Sequence, residues 1–339
     1  MNIKNNLIVK YNHYHGGHCE SGSVSSLIKN FGFQLSEPMA FGISSSIGFS
    51  YFPFIKIWGR PLISFRMMPR SIIKGVQKRL GIRFNMKTYD DQQEAMDELD
   101  ALLADGTPVG MQTSISFLTY FLPDFRIPFN AHMTIVFGRE GDEYLISDPV
   151  FDRPVRIKTE DLKKARFAKG VNAPRGFIFY PAHIPERIDY MAAIKKAVKK
   201  TINMMLQPMF PFVGIKGMLT YARSVEKLKN HPDKKYIGGY LSQIVLFQEE
   251  VGTGGGGFRF MYAAFLREAY DLLKKPELLE AAKKMVETGD LLRKAAGACA
   301  KIIKGKHDSY DLNQVVRLYR ECAWSEKEVY LMLKKIKWK

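Results

Sequence analysis

The sequence predicts an α+β chain, with helices on an antiparallel sheet first and an all-α domain after it. Two patterns predict the first part: a helix that opens on Cys19, and two β-rich runs flanking a Gly-Asp turn near Glu140. A third predicts the rest. From about residue 187 period-3.6 segments dominate, broken at Gln207-Pro208, His231-Pro232, Gly252 to Gly257, Lys275-Pro276 and Lys304-Gly305, which leaves roughly six or seven helices. The boundary is placed after residue 183, giving domains 1–183 and 184–339, and a chain of 339 residues is long enough for each to bury a core.

The first twenty residues read as an extended strand and a turn. In His13-Tyr14-His15-Gly16-Gly17-His18-Cys19-Glu20 a Gly-Gly turn leads into Cys19, and behind it Val24, Leu27, Ile28 and Phe31 recur at helical spacing before a capping Gly32. A thiol at a helix N-terminus meets unpaired N–H groups and the positive end of the dipole. Both favour thiolate, the nucleophilic form. Cys19 is therefore the candidate nucleophile of an acyl-transfer enzyme.

Leu35 to Phe52 starts with small residues and ends in aromatics, as a tight core crossing followed by a strand would. Residues 38–55 carry no charge, but Ser44, Ser45, Ser46, Ser50 and Pro53 break the run and make it a poor membrane span. Residues 56–84 mix Lys56, Arg60, Arg66, Arg70, Lys74 and Lys78 with Trp58, Leu62, Phe65, Met67 and Ile72. That mixture suits an amphipathic helix over the core, and equally a partner or membrane contact. Residues 91–104 form a helix with Ala95, Met96, Leu99, Leu102 and Leu103 on one side. Asp105-Gly106-Thr107-Pro108 ends it before a strand at 109–112.

The hairpin follows. With its turn near Glu140, His132 and Asp148 fall opposite one another within about a residue of register, and cross-strand neighbours stand ~5 Å apart at Cβ. A carboxylate there can hold one imidazole nitrogen and leave the other facing a nucleophile, the base-and-orienter half of a triad.

In the helical part, Gly252-Thr253-Gly254-Gly255-Gly256-Gly257-Phe258-Arg259 runs straight into a helix. A glycine-rich helix entrance can cradle a phosphate. The spacing fits neither a P-loop nor a dinucleotide fingerprint, so a hinge or a close approach is the stronger reading. Cys299 among alanines and Cys322 near Trp324 read as helix packing.

Composition narrows the classes. The chain is 46% hydrophobic and 25% charged, as a globular protein is, and its three scattered cysteines exclude a disulfide scaffold and paired-cysteine zinc sites. The N-terminus lacks the apolar core of a signal peptide, so the expected place is the cytoplasm, with a peripheral position at the inner membrane face as a variant. The net charge is +17, yet nucleic-acid modules are missing. The lysines lie on helix faces, as Lys195, Lys196, Lys199 and Lys200 do, and together could attract an acidic protein or an anionic membrane.

The ordered set Gly17-His18-Cys19-Glu20, Ser36-Glu37-Pro38-Met39-Ala40-Phe41-Gly42, Ala131-His132, Asp148-Pro149 and Gly254 to Arg259 with Tyr262 resembles the butirosin biosynthesis protein H family. Its N-terminal half resembles the papain-like fold in its bacteriocin-processing peptidase (C39) form. The family's founding member moves an amino-acyl group from an acyl carrier protein onto an amine of an aminoglycoside. The resemblance implies a Cys19, His132, Asp148 triad that takes an acyl group from a phosphopantetheine thioester and passes it to an amine or hydroxyl. It implies no cofactor beyond the carrier's own phosphopantetheine and no metal, and a basic chain suits an acidic carrier. Small acceptors, an anionic membrane and a second copy of the chain complete the expected partners, without nucleic acid. Papain-like enzymes usually carry a Gln six residues before the nucleophile as oxyanion donor; here that position is His13. His13, His18 and Glu37 are thus the oxyanion or auxiliary candidates, beside the backbone N–H groups of Cys19 and Glu20. The loop after Phe41 is serine-rich where the family carries glycines. Ser44, Ser45 and Ser46, with Gly255, Gly256, Arg259 and Tyr262, are the candidate substrate contacts. Hydrolysis of an amide or thioester on the same triad is the alternative activity.

Overall fold

The computed structural model describes residues 6–251, 254–305 and 311–338. The elements run β1 (Asn6–Ile8), α1 (Cys19–Asn30), α2 (Glu37–Ile43), β2 (Ile47–Ile57), β3 (Arg60–Arg66), α3 (Ser71–Leu80), β4 (Arg83–Lys87), α4 (Gln92–Ala104) and β5 (Val109–Thr113). There follow β6 (His132–Glu140), β7 (Glu143–Ser147), β8 (Val155–Lys158), α5 (Thr159–Arg166), β9 (Ile178–His183), α6 (Tyr190–Leu206) and α7 (Gly214–Lys227). The chain ends in α8 (Lys234–Val245), α9 (Arg259–Leu273), α10 (Pro276–Ile303) and α11 (Leu312–Lys334).

Two compact units result: Met1–Ala40 with Pro69–Ile188, and Phe41–Met68 with Asp189–Lys339. The single cut expected after residue 183 thus becomes a cut after Ile188, and the segment Phe41–Met68 joins the helical unit. The reason is backbone pairing. β2 meets the connection after α6, where the Tyr51 N–H donates to Phe212 O at 2.8 Å and Ser50 bridges Val213.

The first unit is built on a seven-stranded antiparallel sheet, in the order β4-β9-β5-β6-β7-β8 with β1 added to β6. Val109 and Met111 of β5, Val136 of β6, Ile146 of β7 and Ile178 of β9 form one core with Ala95, Met96, Leu99 and Leu103 of α4 and Leu162 and Ala165 of α5. The helix expected over 91–104 is α4, and Asp91 caps it by accepting from the Glu94 N–H at 2.7 Å. The nucleophile helix α1 is drawn close to the sheet at Gly110. A Cβ there would stand 2.8 Å from the Leu27 side chain and 2.4 Å from Phe179, so only a bare Cα fits.

Residues 56–84 are not the helix that their mixture of cations and apolar residues suggested. Pro61, Leu62, Ile63, Ser64 and Phe65 alternate in burial with period two and pair with β2, so the strand period wins until Pro69. The turn needs left-handed backbone, with Trp58 at φ 51° and Gly59 at φ 77°, and only α3 keeps the helical pattern.

The second unit carries the β2–β3 hairpin and, among the described residues, the six α-helices α6–α11. Its helices end at the expected breaks; residues 252 and 253 of the glycine run lie outside the described residues. No described helix is long and apolar enough to cross a membrane.

Candidate active site

Cys19 is the first residue of α1, and the turn before it is fixed from three sides. His18 is the N-cap, its Nδ1 accepting from the Ser21 N–H at 3.2 Å. The Glu37 carboxylate accepts from the Gly17 N–H and the His18 N–H, each at 2.8 Å, and from the Ser21 hydroxyl at 2.8 Å. Burial pushes the Glu37 carboxyl above the usual carboxylate range, against the hydrogen bonds from Gly17, Ser21 and His18. The third support is the turn after β7: the Gly16 N–H donates to Pro149 O at 2.8 Å, and a Cβ at Gly22 would stand 2.8 Å from Pro149 Cβ. Two glycines therefore let the residue after Asp148 lie directly on the start of the nucleophile helix.

His132 opens β6, and its Nε2 lies 2.6 Å from Asp148 Oδ2, with both side chains buried. The pair does not form across the ladder as the turn arithmetic suggested. β6 and β7 pair Ile135 with Ser147, with a register shift between Val136 and Gly138, so Asp148 is the first residue beyond the strand. There the chain turns, Asp148 Oδ1 accepting from the Val150 N–H at 3.1 Å, and the carboxylate reaches His132 from the turn. With Nε2 committed to Asp148, Nδ1 is the nitrogen left for a thiol. Cys19 is buried beside this ring, its Sγ 4.0 Å from Ala131 O.

Burial resists a charged imidazole, but the Asp148 charge and hydrogen bond outweigh it and Cys19 adds in the same sense, raising His132 from 6.5 to about 10. The other two thiols, Cys299 and Cys322, are buried packing groups within the second unit. Burial pushes Cys299 up to about 12, and burial followed by the charge of Glu326 pushes Cys322 higher still.

Sequence reasoning missed the groups that roof this pair. Tyr120 donates its hydroxyl to Asp148 Oδ2 at 2.9 Å. Burial and then the Asp148 charge hold that phenol well above its ordinary range, so it remains a donor. Phe121 meets the His132 ring edge to face at 5.7 Å, and Phe151 packs on both Tyr120 and Phe121. The Tyr120-Phe121 dipeptide in the aromatic stretch before His132 was the available signal.

Other expectations are corrected. His13 is not placed as an oxyanion donor: Nε2 faces Phe151 O at 2.8 Å, which fixes the proton there, and Nδ1 meets the Ser147 hydroxyl at 2.7 Å. His18 caps its helix, and Glu37 acts on the turn rather than on a substrate atom. The Cys19 N–H is one of the first-turn donors of α1 that a helix cannot pair within itself. The Glu20 carboxylate is buried and supports the start of α3, accepting from the Ile72 N–H at 2.8 Å and the Arg70 N–H at 3.1 Å.

The candidate substrate contacts all lie inside the second unit. Ser44 donates to Phe41 O at 2.6 Å and meets the Ser46 hydroxyl, and Ser45 donates to Ala197 O at 3.0 Å. Arg259 is buried on both oxygens of Glu326, at 2.9 Å each from Nη2, and Tyr262 is fully buried. At Gly255 a Cβ would stand 2.6 Å from Arg293, and at Gly256 2.7 Å from Phe260, so the glycine run serves close packing. Ser44, Ser45 and Arg259 hold the unit together, because their polar atoms bond its own backbone and side chains. Among the described residues no group of three or more His, Cys, Asp or Glu is placed to hold a metal ion.

A helix-borne cysteine, a strand-borne histidine and an aspartate after the next strand come together in the first unit, and the family match of its N-terminal part points to a cysteine-type enzyme. Residues 160–333 match the family model described as a domain of unknown function (DUF4872), and residues 18–149 match butirosin biosynthesis protein H, N-terminal. The chain belongs to the DUF4872 family, and its N-terminal part is a domain like that of butirosin biosynthesis protein H. No curated protein matches it. Among solved structures, a C39-like peptidase from Bacillus anthracis aligns at 16% identity and a TM-score of 0.34, over 54% of this chain and 98% of its own.

Proposed function

We propose that the protein is an acyltransferase that carries its acyl group on Cys19. The observation that supports this most is the ring of His132, which is tied to Asp148 through Nε2 and interacts with Cys19. An imidazolium beside a sulfur favours thiolate attack on a thioester carbonyl. The new bond is from Cys19 Sγ to the acyl carbon, and the Cys19 N–H stabilises the oxyanion. Collapse breaks the bond to the donor sulfur, which leaves as a thiol with the proton from His132. The now neutral His132 takes a proton from the incoming amine or hydroxyl, whose attack breaks the acyl–Cys19 bond and restores the thiolate.

The donor is the phosphopantetheine thioester of an acyl carrier protein, a reading supported by the butirosin-type N-terminal domain and the charge of +17. Loading the protein with a radiolabelled acyl carrier thioester, then adding either buffer or a panel of amines, tests it. Transfer predicts that amines discharge the acyl-enzyme faster than water does. Equal rates with and without amines would make the protein a hydrolase, and no loading at all would remove the reading.

A further inference from the structure

The second unit carries a surface that acyl transfer does not use. Its β2–β3 hairpin and the connection from α6 to α7 run side by side, joined by the Tyr51–Phe212 hydrogen bond and the Ser50–Val213 bridge. The rings of Phe54 and Phe212 meet edge to face at 5.3 Å. What this pair presents outward is apolar: Met209 is 89% exposed, Phe54 65%, Phe210 58% and Ile55 43%. Single exposed apolar residues are ordinary, whereas four on two adjoining segments form a patch. Trp58, at the hairpin turn, is also exposed and stacks on Phe247 at 5.7 Å.

The segments that build the patch carry charges of one sign. Neither Phe41–Met68 nor residues 190–225, the segments that build it, contain an Asp or Glu. Lys56 follows Ile55 directly and Lys216 lies in the first turn of α7, both exposed. An acidic protein would have to match fixed cations one by one and leave the apolar tips in need of their own pocket. Long lysine stems around protruding Met and Phe side chains suit a continuous anionic sheet with an apolar interior.

We propose that this face docks on an anionic phospholipid bilayer. Met209, Phe210, Phe54 and Ile55 enter the boundary between headgroups and acyl chains, Trp58 lies at headgroup level, and Lys56 and Lys216 face the phosphates. The inference is independent of the chemistry at Cys19.

Co-sedimentation of the full chain with vesicles of phosphatidylcholine alone, or mixed with phosphatidylglycerol, tests it. Binding is expected only with phosphatidylglycerol and should weaken as salt rises. Phe54→Ser with Phe210→Ser should weaken partitioning about tenfold or more, and Lys56→Glu with Lys216→Glu by a similar factor. All four substituted positions are exposed, and far-UV circular dichroism and thermal melting report whether each variant stays folded. No binding to phosphatidylglycerol vesicles at low salt overturns the proposal. So does wild-type-like binding by both variants. A lipid-free dimer that the Phe54→Ser, Phe210→Ser variant dissociates, with no vesicle binding, would make this face a contact between copies instead.

Discussion

Asp148 Oδ2 serves two donors, His132 Nε2 at 2.6 Å and the Tyr120 hydroxyl at 2.9 Å, in a place closed to solvent. Two outcomes follow from that shared oxygen. His132 is raised from 6.5 to about 10, so the stabilisation it draws from Asp148 is fully present below about pH 6.5 and is lost as pH rises through the folded value. The thermal midpoint of Asp148→Asn should therefore lag the wild type most at the acid end of that window, and the gap should narrow towards pH 10. A gap that widens with pH would contradict the pairing. Tyr120→Phe removes one donor to a buried carboxylate and should cost about 1–3 kcal/mol in denaturant unfolding. Its acyl transfer should show a lower kcat with KM unchanged, because the residue positions Asp148 and touches no substrate. At this scale the sequence was most informative where chemistry needs a particular atom: Cys19, His132 and Asp148 were all legible. Tyr120, Phe121 and Phe151 were not, because a loop brings them to the pair and no periodicity marks it. His13 was misread for the opposite reason, as sequence distance from Cys19 says nothing of the Phe151 carbonyl and Ser147 hydroxyl that occupy its ring.

Among the elements, the start of α1 and the turn after β7 act as one assembly. Glu37 ties the turn before Cys19, and Gly16 and Gly22 leave room for Pro149. Gly22→Ala places a methyl 2.8 Å from Pro149 Cβ. It should cost about 1–3 kcal/mol by overpacking and slow acyl loading, since relief moves Asp148 with Pro149. A variant with unchanged unfolding midpoint and loading rate would show that the close approach is dispensable. Helices with a clear stripe and cap, such as α4, were legible in advance. Strand β3 was hidden because cations at every few positions imitate an amphipathic helix, while its actual period is two. The His132–Asp148 contact was foreseen on the wrong geometry: a register shift in β6–β7 moves Asp148 off the ladder and into the turn.

For the whole molecule, two units of different architecture share one chain, which crosses between them more than once. A sequence pattern marks where helices begin, and so the all-α region was legible. It does not mark which neighbour a hairpin will pair with, and so Phe41–Met68 was assigned to the wrong unit. The helical unit carries its own buried ion pair, Arg259 on Glu326, with the Tyr330 hydroxyl donating to Glu326 at 2.8 Å. Glu326→Ala leaves that guanidinium buried and unpaired and should cost about 3–5 kcal/mol, whereas Arg259→Met with Glu326→Leu should unfold near the wild-type midpoint. Equal losses in both variants, read by chemical denaturation, would contradict this. The central claim is that a single sulfur, Cys19, carries the acyl group, and peptide-mapped mass spectrometry after brief exposure to an acyl carrier thioester tests it most directly. The account predicts one acyl mass, on the peptide holding Cys19, and none on the Cys19→Ala protein. An acyl group on Cys299 or Cys322, or a Cys19→Ala protein that still loads, would contradict it.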